Sequence, residues 1–211
     1  MKKQPEFTLD LHYQSQGYRL LAGTDEAGRG PIAGPVVAAA VLIHSHRDAP
    51  YINDSKKMTE KERDLAYAWI CEHALSYAIE VIDADTIDQI NILEASRLGM
   101  MRSLDRLMSR PDFIVTDAMK LPEKYAPYAA VIRGDQKVFA VACASILAKV
   151  TRDRIMVQLD RQYPGYGFAA HKGYPTPMHL NALNRLGILP HVHRTSFGPV
   201  KTLHSISLWD K

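Results

Sequence analysis

Two adjacent acids, Asp25 and Glu26, stand directly before a Gly-Arg-Gly turn in the stretch TDEAGRGP, residues 24–31. Two further acids, Asp117 and Asp135, follow runs that are typical of β-strands. Carboxylates at strand ends can converge at one edge of a sheet, where a divalent cation relieves their repulsion, and all-oxygen ligands favour Mg²⁺ or Mn²⁺. Two such ions about 4 Å apart activate a water and stabilise a leaving oxygen in phosphodiester cleavage. The acids therefore suggest metal-dependent hydrolysis.

The same acids have a simpler interpretation. Acids often end strands because they face water there, and this is the favoured interpretation of Asp117 or Asp135 taken alone. For the adjacent pair Asp25 and Glu26, which lies in an apolar strand context, both interpretations stay open. No single acid decides between a surface position and a metal site.

The glycine-rich stretch from Gly28 to Ala33 formally matches the dinucleotide-binding pattern G-x-G-x-x-A. Pro31 and the apolar run after it predict a strand where that pattern requires a helix, and the two preceding acids would repel a pyrophosphate. A tight turn is the better interpretation. Its backbone N–H groups and Arg29 would then approach a sugar-phosphate backbone.

The elements that must position these residues are visible as alternating strand and helix patterns. Strands are predicted at Tyr18 to Asp25, Gly34 to Ile43, Ser76 to Ile82, Asp112 to Asp117 and Tyr128 to Ile132. Helices are predicted at about Thr59 to His73, Ile92 to Ser109, Phe139 to Gln162 and Thr176 to Leu186, the first starting with a capping box. No periodicity is evident after Pro190. This order predicts an α/β fold with a mixed sheet and a helical C-terminal extension.

Charge and composition narrow the class of protein. The 211 residues suit one domain, with or without an appendage, and the net charge of +3 divides into +6 for residues 149–211 and −3 for residues 1–148. A basic C-terminal part suggests a nucleic-acid partner, although a solvated basic helix face is the alternative. Two apolar-context cysteines, the absence of a secretory pattern and an apolar run of only Val36 to Ile43 predict a cytoplasmic protein without a membrane span.

A family resemblance becomes visible when the motifs are taken in order. The segments TDEAGRGPIAGPVVAAAVL, NDSKK, FIVTDA, GDQKVFAVACASILAKVTRD, GFAAHKGY and HRTSFGPV resemble type 2 ribonuclease H, the bacterial ribonuclease HII, over roughly Leu20 to Val200. The resemblance implies a ribonuclease H-like fold, with a mixed five-stranded sheet flanked by helices. It also implies an N-terminal segment at 1–17, a catalytic domain at 18–163 and a C-terminal helical extension at 164–211.

The resemblance further implies an active, metal-dependent endonuclease. The family's catalytic and metal-binding carboxylates fall on Asp25, Glu26, Asp117 and Asp135. Such an enzyme, with Mn²⁺ or Mg²⁺, cuts the RNA strand of RNA–DNA hybrids. It also cuts 5′ of single ribonucleotides in duplex DNA, leaving 3′-hydroxyl and 5′-phosphate ends. A monomer is expected by default.

Substrate contacts are also carried over from the resemblance. The turn Gly28, Arg29 and Gly30 matches the family's reader of the ribose 2′-hydroxyl, and Tyr174 matches the tyrosine that packs on the neighbouring deoxyribose. The expected phosphate contacts are Lys56, Lys57, Lys149, Arg152 and Lys172. A loop tyrosine and ordinary surface charges are the alternatives.

Two other functions remain to be weighed. A non-catalytic nucleic-acid-binding module of the same fold is disfavoured by the four intact carboxylates. A Mg²⁺-dependent phosphatase acting on small nucleotides is disfavoured by the basic C-terminal part and the lack of a nucleotide-binding loop.

Overall fold

The computed structural model describes residues 6–44, 49–125 and 127–209. The strands are β1 (Leu21–Ala27), β2 (Val36–Leu42), β3 (Ser76–Ile82), β4 (Phe113–Asp117) and β5 (Tyr128–Val131). The helices are α1 (Thr8–Ser15), α2 (Glu60–His73), α3 (Ala84–Asp105), α4 (Phe139–Gln162), α5 (Phe168–His171), α6 (Pro177–Leu186) and α7 (Gly198–Trp209). The predicted α/β class is confirmed.

One mixed sheet organises the strands in the order β3-β2-β1-β4-β5. The central strand β1 runs antiparallel to β2 and parallel to β4, and β4 runs parallel to β5. Every residue of β2, with the sequence VVAAAVL, is buried, as expected for a strand covered on both faces. The parallel arrangement matters for function, because β1, β4 and β5 end at the same edge of the sheet.

A glycine in β1 allows helix α4 to lie close to the sheet. A Cβ atom at Gly23 would collide with the backbone of Ala140 and Val141. Only a residue without a side chain fits there, so the start of α4 packs directly on the central strand.

Several predicted helix signals are present. Thr59 caps α2, and its side chain and that of Glu62 form the reciprocal capping box. Thr176 caps α6, and Pro177 occupies the first turn of that helix. These signals were readable because they depend only on residues three positions apart.

Other elements differ from the prediction. Helix α3 begins at Ala84, eight residues before the predicted start, and has a break at Asn91, where φ is 66°. Helix α7 occupies a stretch for which no periodicity was evident. Helix α1 was not predicted either, and it is held by ring contacts of Phe7 with Phe139 and of Tyr13 with Phe113. Contacts of this kind with distant residues leave no local pattern.

The chain forms two compact units. The first unit contains residues 1–27, 37–80 and 97–150, and the second contains residues 28–36, 81–96 and 151–211. Leu42, Ile114 and Tyr125 belong to the core of the first unit. Met156, Phe168 and Val192 belong to that of the second. The sequence-based division at residues 17 and 163 follows chain order, whereas these units interleave along the chain. Residues 1–5, 45–48, 126, 210 and 211 of that division lie outside the described part.

One buried acid in the first unit links the N-terminal helix to α4. Asp10 is 7% exposed, and its two carboxylate oxygens accept hydrogen bonds from the backbone N–H of Phe139 at 3.1 and 3.3 Å. Burial raises the pKa of Asp10 from 3.8 to about 7, although the Phe139 hydrogen bond acts in the opposite direction. The folded protein therefore retains a proton that the unfolded chain releases.

We predict that Asp10→Asn flattens the pH dependence of stability. With a folded pKa of about 7 and an unfolded pKa near 3.8, the free energy of unfolding falls as pH rises between these values and stays low above pH 7. Asparagine cannot ionise and keeps one acceptor for Phe139. It should raise the free energy of unfolding at pH 8 by up to about 4 kcal/mol, at about 1.4 kcal/mol per pKa unit.

Urea unfolding of wild type and Asp10→Asn at pH 5 and pH 8 measures this effect. The exposed Asp64 of α2 supplies a matched control, Asp64→Asn. The interpretation fails if both asparagine variants retain the wild-type change in unfolding midpoint between the two pH values.

Candidate active site

Two of the predicted acids, Asp25 and Asp117, lie on the neighbouring parallel strands β1 and β4. Thr24 of β1 pairs with Thr116 of β4 as the last pair of the register, and Asp25 and Asp117 are the residues that follow this pair. Paired residues of adjacent strands face the same side of a sheet. Asp25 is buried, and Asp117 is half-buried at the end of β4. The structure thus brings these two acids together at one sheet edge.

A turn after β5 brings a third acid to the same place. Arg133 adopts a left-handed conformation with φ 58°, and the backbone N–H of Gly134 donates a 2.8 Å hydrogen bond to Asp117 Oδ1. A Cβ at Gly134 would lie 3.3 Å from the carbonyl oxygen of Thr116, so the turn packs against the end of β4. Asp135 follows as a buried residue.

Glu26 differs from the other three acids in its position. It is the next residue of β1, and consecutive strand residues point to opposite faces of a sheet. Its carboxylate is still close enough for its charge to raise the pKa of Asp25. Its backbone N–H donates a 2.8 Å hydrogen bond to Asp25 Oδ1. Glu26 therefore adds negative charge beside Asp25, from a different direction than Asp117.

Burial and charge both act against ionisation of Asp25. Burial raises its pKa well above the ordinary value, and the charges of Glu26 and Asp117 raise it further. The Ser145 side chain and the Glu26 amide lower it by hydrogen bonding. Burial and the neighbouring charges thus disfavour the charged form of Asp25, and a nearby positive charge would act in the opposite direction.

Asp135 experiences the same kind of environment. Burial raises its pKa, and the charges of Asp117 and Asp54 raise it further, while Lys56 lowers it. Asp54 is itself buried and accepts hydrogen bonds from the Lys56 amide at 3.0 Å and from the Gln136 side chain at 3.2 Å. The charge of Asp117 raises the pKa of both Asp25 and Asp135, so Asp117 is electrostatically linked to each of them.

These donors fit a hard divalent cation by their chemistry. The carboxylate oxygens of Asp25, Asp117 and Asp135 are the ligand type that Mg²⁺ and Mn²⁺ prefer. Within the described ranges, no group of three or more His, Cys, Asp or Glu side chains is arranged to enclose a metal ion. Magnesium sites for phosphate chemistry commonly use one or two carboxylates together with substrate oxygens. The case for a divalent cation at these acids therefore rests on their oxygen donors and on the mutual repulsion of their charges.

The Gly-Arg-Gly turn belongs to the second unit, and a buried arginine donates hydrogen bonds to its carbonyl oxygens. Arg194 is fully buried and donates hydrogen bonds to the carbonyl oxygens of Gly28 at 2.6 Å, Arg29 at 3.1 Å and Gly34 at 3.0 Å. In a planar trans peptide the N–H points opposite to the preceding C=O. The N–H groups of Arg29 and Gly30 therefore point away from Arg194.

The position of Arg152 differs from the one predicted from the sequence. It was expected to contact a phosphate, but it is 1% exposed and donates to the carbonyl oxygens of Pro35 at 2.9 Å, Lys172 at 2.9 Å and Ala33 at 3.2 Å. Burial lowers its pKa to about 10. The prediction of a direct phosphate contact is wrong, because the guanidinium group is enclosed by the backbone that it supports.

The other predicted phosphate contacts differ in accessibility. Lys56 and Lys57 of the first unit are exposed, and Lys149 in the same unit is half-buried. In the second unit, half-buried Lys172 donates from Nζ to the carbonyl oxygen of Ala169 at 2.6 Å. The exposed pair, Lys56 and Lys57, thus has the freest access to a polyanion.

Tyr174 lies against the Gly-Arg-Gly turn within the second unit. Its side chain is 46% exposed, and a Cβ added at Gly30 would be 3.3 Å from the ring atom Cε1. The ring and the Gly30 backbone are therefore neighbours, and a side chain at position 30 would crowd the ring.

A separate cavity of about 590 Å³ lies in the first unit and is lined by residues that include Leu104, Tyr125 and Pro127. None of the predicted site residues lines it. The cavity is therefore distinct from the acids at the strand ends, which remain the candidate site.

Sequence reasoning missed residues that support the acids of the first unit and, separately, the Gly-Arg-Gly turn of the second unit. Asp54, Ser145 and Arg194 all lie in segments that carried the family resemblance, NDSKK, CASILAK and HRTSFGPV. The motifs marked these stretches as informative. The roles of the three side chains depend on burial and hydrogen bonding across long chain separations, which no local pattern shows.

Comparison with known proteins places the chain among nucleases. A family model described as Ribonuclease HII matches residues 22–200. Ribonuclease HII of Listeria innocua is 50% identical over 196 residues, which cover 92% of this chain and 74% of that protein. The sequence similarity therefore extends over nearly the whole chain.

Solved structures show the same fold. The crystal structure of ribonuclease H2 from Pyrococcus horikoshii matches with a TM-score of 0.75 and 25% identity, covering 89% of this chain and 98% of that one. Bst-RNase HIII, solved in complex with Mn²⁺, matches with a TM-score of 0.65 and 19% identity, covering 89% and 70%. The second match supports the fold alone.

We predict that Gly28→Ala destabilises the turn by several kcal/mol. Gly28 has φ 100°, and a Cβ there would collide with the Arg152 side chain and lie 2.8 Å from the carbonyl oxygen of Pro35. Gly187 supplies the control, because its φ is 83° but nothing lies within 4 Å of an added Cβ. Gly187→Ala should show only the left-handed backbone cost of about 1–2 kcal/mol.

Thermal and urea unfolding of the two alanine variants separate collision from backbone strain. The larger loss of stability is expected for Gly28→Ala. Equal losses would show that the close approach of Arg152 contributes nothing.

Proposed function

The chain belongs to the ribonuclease HII family, and from this premise we propose how its own residues carry out the reaction. It is an endonuclease that cleaves RNA in RNA–DNA hybrids and at ribonucleotides embedded in duplex DNA. The observation that carries the assignment of residues is that Asp25 and Asp117 directly follow the paired residues Thr24 and Thr116, while the Gly134 turn, bonded to Asp117, brings Asp135 to the same strand end. These three acids and Glu26 form the proposed catalytic group.

The cofactor of this reaction is Mn²⁺ or Mg²⁺. When two such ions are bound, they activate the attacking water and stabilise the leaving 3′ oxygen, so that the products carry 3′-hydroxyl and 5′-phosphate ends. Asp25, Glu26 and Asp117 are proposed as the main metal ligands. Asp135 is proposed to hold the metal on the side of the nucleophile or to orient the water.

Recognition of ribose is assigned to the Gly-Arg-Gly turn. The ribose 2′-hydroxyl both donates and accepts hydrogen bonds, and it distinguishes RNA from DNA. Support comes from Arg194, which holds the carbonyl groups of Gly28 and Arg29 and so directs the next N–H groups away from the interior. A side chain at Gly30 would crowd Tyr174 and hold a sugar away from the turn.

Tyr174 is proposed to pack on the deoxyribose beside the ribonucleotide and so to favour an RNA–DNA junction. Its partly exposed ring against Gly30 supports this role. Lys56 and Lys57 are proposed to contact backbone phosphates, with half-buried Lys149 and Lys172 as further candidates. Such contacts add affinity that falls with rising salt.

The rival functions have less support. A non-catalytic binding module would not require acids whose charges act on each other at buried strand ends. A phosphatase for small nucleotides would not use a peptide turn to read a sugar hydroxyl.

In the described part of the chain, no helix has the length and apolar character needed to cross a membrane. A monomeric state and a cytoplasmic location stay predictions.

We predict that Asp117→Asn and Asp25→Asn each reduce cleavage by at least about 10³-fold, because losing a metal ligand removes several kcal/mol of transition-state stabilisation. Asparagine keeps an acceptor for the Gly134 or Glu26 amide, so the fold should persist. Nicking of a duplex with one ribonucleotide in the presence of Mn²⁺ measures the loss, with Asp64→Asn as control. Substantial turnover in either site variant would refute its role as a ligand.

We predict that Tyr174→Ala selectively weakens cutting at an isolated ribonucleotide, by about tenfold more than cutting of a continuous hybrid. The reason is that only the junction presents a deoxyribose to the ring. Tyr174→Phe should retain the wild-type ratio, since the packing surface of the ring is preserved. Equal losses on both substrates would rule out the junction role.

A further inference from the structure

Three buried histidines of the second unit surround the backbone of Tyr174. His179 and His193 are fully buried, and His171 is nearly so. The rings of His171 and His179 stack with centroids 4.2 Å apart, and Nε2 of His179 lies 3.2 Å from Nε2 of His193. The proposed catalytic role uses none of these rings, so their arrangement needs a separate explanation.

The hydrogen bonds fix which nitrogen of each ring carries a proton. The backbone N–H of Leu189 donates to Nδ1 of His193 at 2.9 Å, so the proton of a neutral His193 is on Nε2. That Nε2–H donates to Nε2 of His179, which leaves the His179 proton on Nδ1. His179 Nδ1–H then donates to the carbonyl oxygen of Tyr174 at 2.9 Å. The result is a one-directional chain from Leu189 to Tyr174, which we call the histidine relay.

His171 holds the segment from the other side. The backbone N–H of Gly173 donates to Nδ1 of His171 at 3.1 Å, so His171 Nε2–H donates to the carbonyl oxygen of Tyr166 at 2.9 Å. The backbone N–H of Tyr174 donates to the carbonyl oxygen of His171 at 3.0 Å. Both the N–H and the C=O of Tyr174 are therefore bonded to a histidine residue.

The relay works only with neutral rings. A second proton on His179 would place two donors face to face and break the Nε2–Nε2 hydrogen bond, and a second proton on His193 would set its Nδ1–H against the Leu189 N–H. Burial lowers the pKa of both rings to about 4, and their proximity to other histidines acts in the same direction. The tautomers derived from the hydrogen bonds are therefore the form present near neutral pH.

The Tyr174 carbonyl oxygen that the relay holds also accepts a 2.8 Å hydrogen bond from the Thr176 N–H, and this backbone carries the Tyr174 ring. Lys172 and Gly173 both adopt left-handed conformations, with φ 52° and 83°, so the chain turns sharply just before the tyrosine. The ring projects from that turn onto Gly30. A change in the direction of the Tyr174 carbonyl group would move the ring relative to the turn.

We infer that His179, set by His193, is a positioning residue for substrate selection: it holds the Tyr174 ring where an RNA–DNA junction is distinguished from continuous RNA. The inference rests on the junction role proposed for Tyr174. A purely structural role of the histidines would affect stability and both substrates alike, whereas positioning changes the ratio of the two activities.

Two amide substitutions at His179 each retain a different half of the relay. In His179→Asn the amide nitrogen can occupy the place of Nδ1 and still donate to the Tyr174 carbonyl. In His179→Gln the amide reaches the place of Nε2 and meets His193, but the donor to Tyr174 is lost. Each variant loses one ring hydrogen bond, so the pair is matched for polarity and for buried bonds.

The measured quantity is the ratio of kcat/KM for a duplex with one ribonucleotide to that for a continuous RNA–DNA hybrid, on the full chain with Mn²⁺. His179→Gln should lower this ratio about tenfold, and His179→Asn should retain it to within about twofold. In a Tyr174→Ala background, His179→Gln should cause no further change, because residues that act through one group are not additive. A wild-type ratio in His179→Gln, or a full further loss in the double variant, would overturn the inference.

Two controls keep the result interpretable. If His179→Gln does not fold, His193→Asn removes the donor to His179 Nε2 and leaves His179 in place; it should lower the ratio, and an unchanged ratio would contradict the relay. An unchanged ratio in Tyr174→Ala alone would contradict the junction role, and with it the claim about substrate selection. Crystal structures of the two His179 variants then test positioning directly: a Tyr174 ring displaced in His179→Gln but not in His179→Asn supports it, and an unmoved ring in both contradicts it.

Discussion

The mutual repulsion of carboxylates at adjacent strand ends is the constraint on which the site depends. Asp25 and Asp117 follow the last paired residues of two parallel strands, and the charge of Asp117 acts on both Asp25 and Asp135. Burying charges of one sign together costs several kcal/mol unless a counter-charge is supplied. In the proposed function, a divalent cation bound with a phosphate-bearing substrate would supply this counter-charge to the acids.

In the second unit, the constraint is a flexible glycine turn that must be held in one conformation. Two buried arginines do so by donating to backbone carbonyl groups: Arg194 to Gly28 and Arg29, and Arg152 to Pro35. Burial, together with the nearby Arg152 charge, lowers the pKa of Arg194 to about 9. The conformational freedom of the glycine turn is thus restrained by interior hydrogen bonds.

Buried histidines extend the same approach to Tyr174. A neutral imidazole has one donor and one acceptor on opposite sides of the ring, so a pair of them can pass orientation from one backbone group to another. Each ring nitrogen of His179 and His193 has a partner, which avoids the cost of an unsatisfied polar atom in the interior. Arginines and histidines here act on the backbone, and the backbone presents the groups that would meet the substrate.

The sequence by itself determined the order of the five strands and the capped helices, although β1 ends at Ala27 and not at the predicted Asp25. Turn residues and capping boxes involve neighbours in the chain, which makes such features readable. The ordered motifs also identified the family. Only the tertiary structure decided that Arg152 is an interior support, that α1 and α7 form, and that three histidines meet around Tyr174. A guanidinium or imidazole group reads the same in a sequence whether it faces water or the interior. Its role is set by which distant carbonyl groups and rings the fold brings to it.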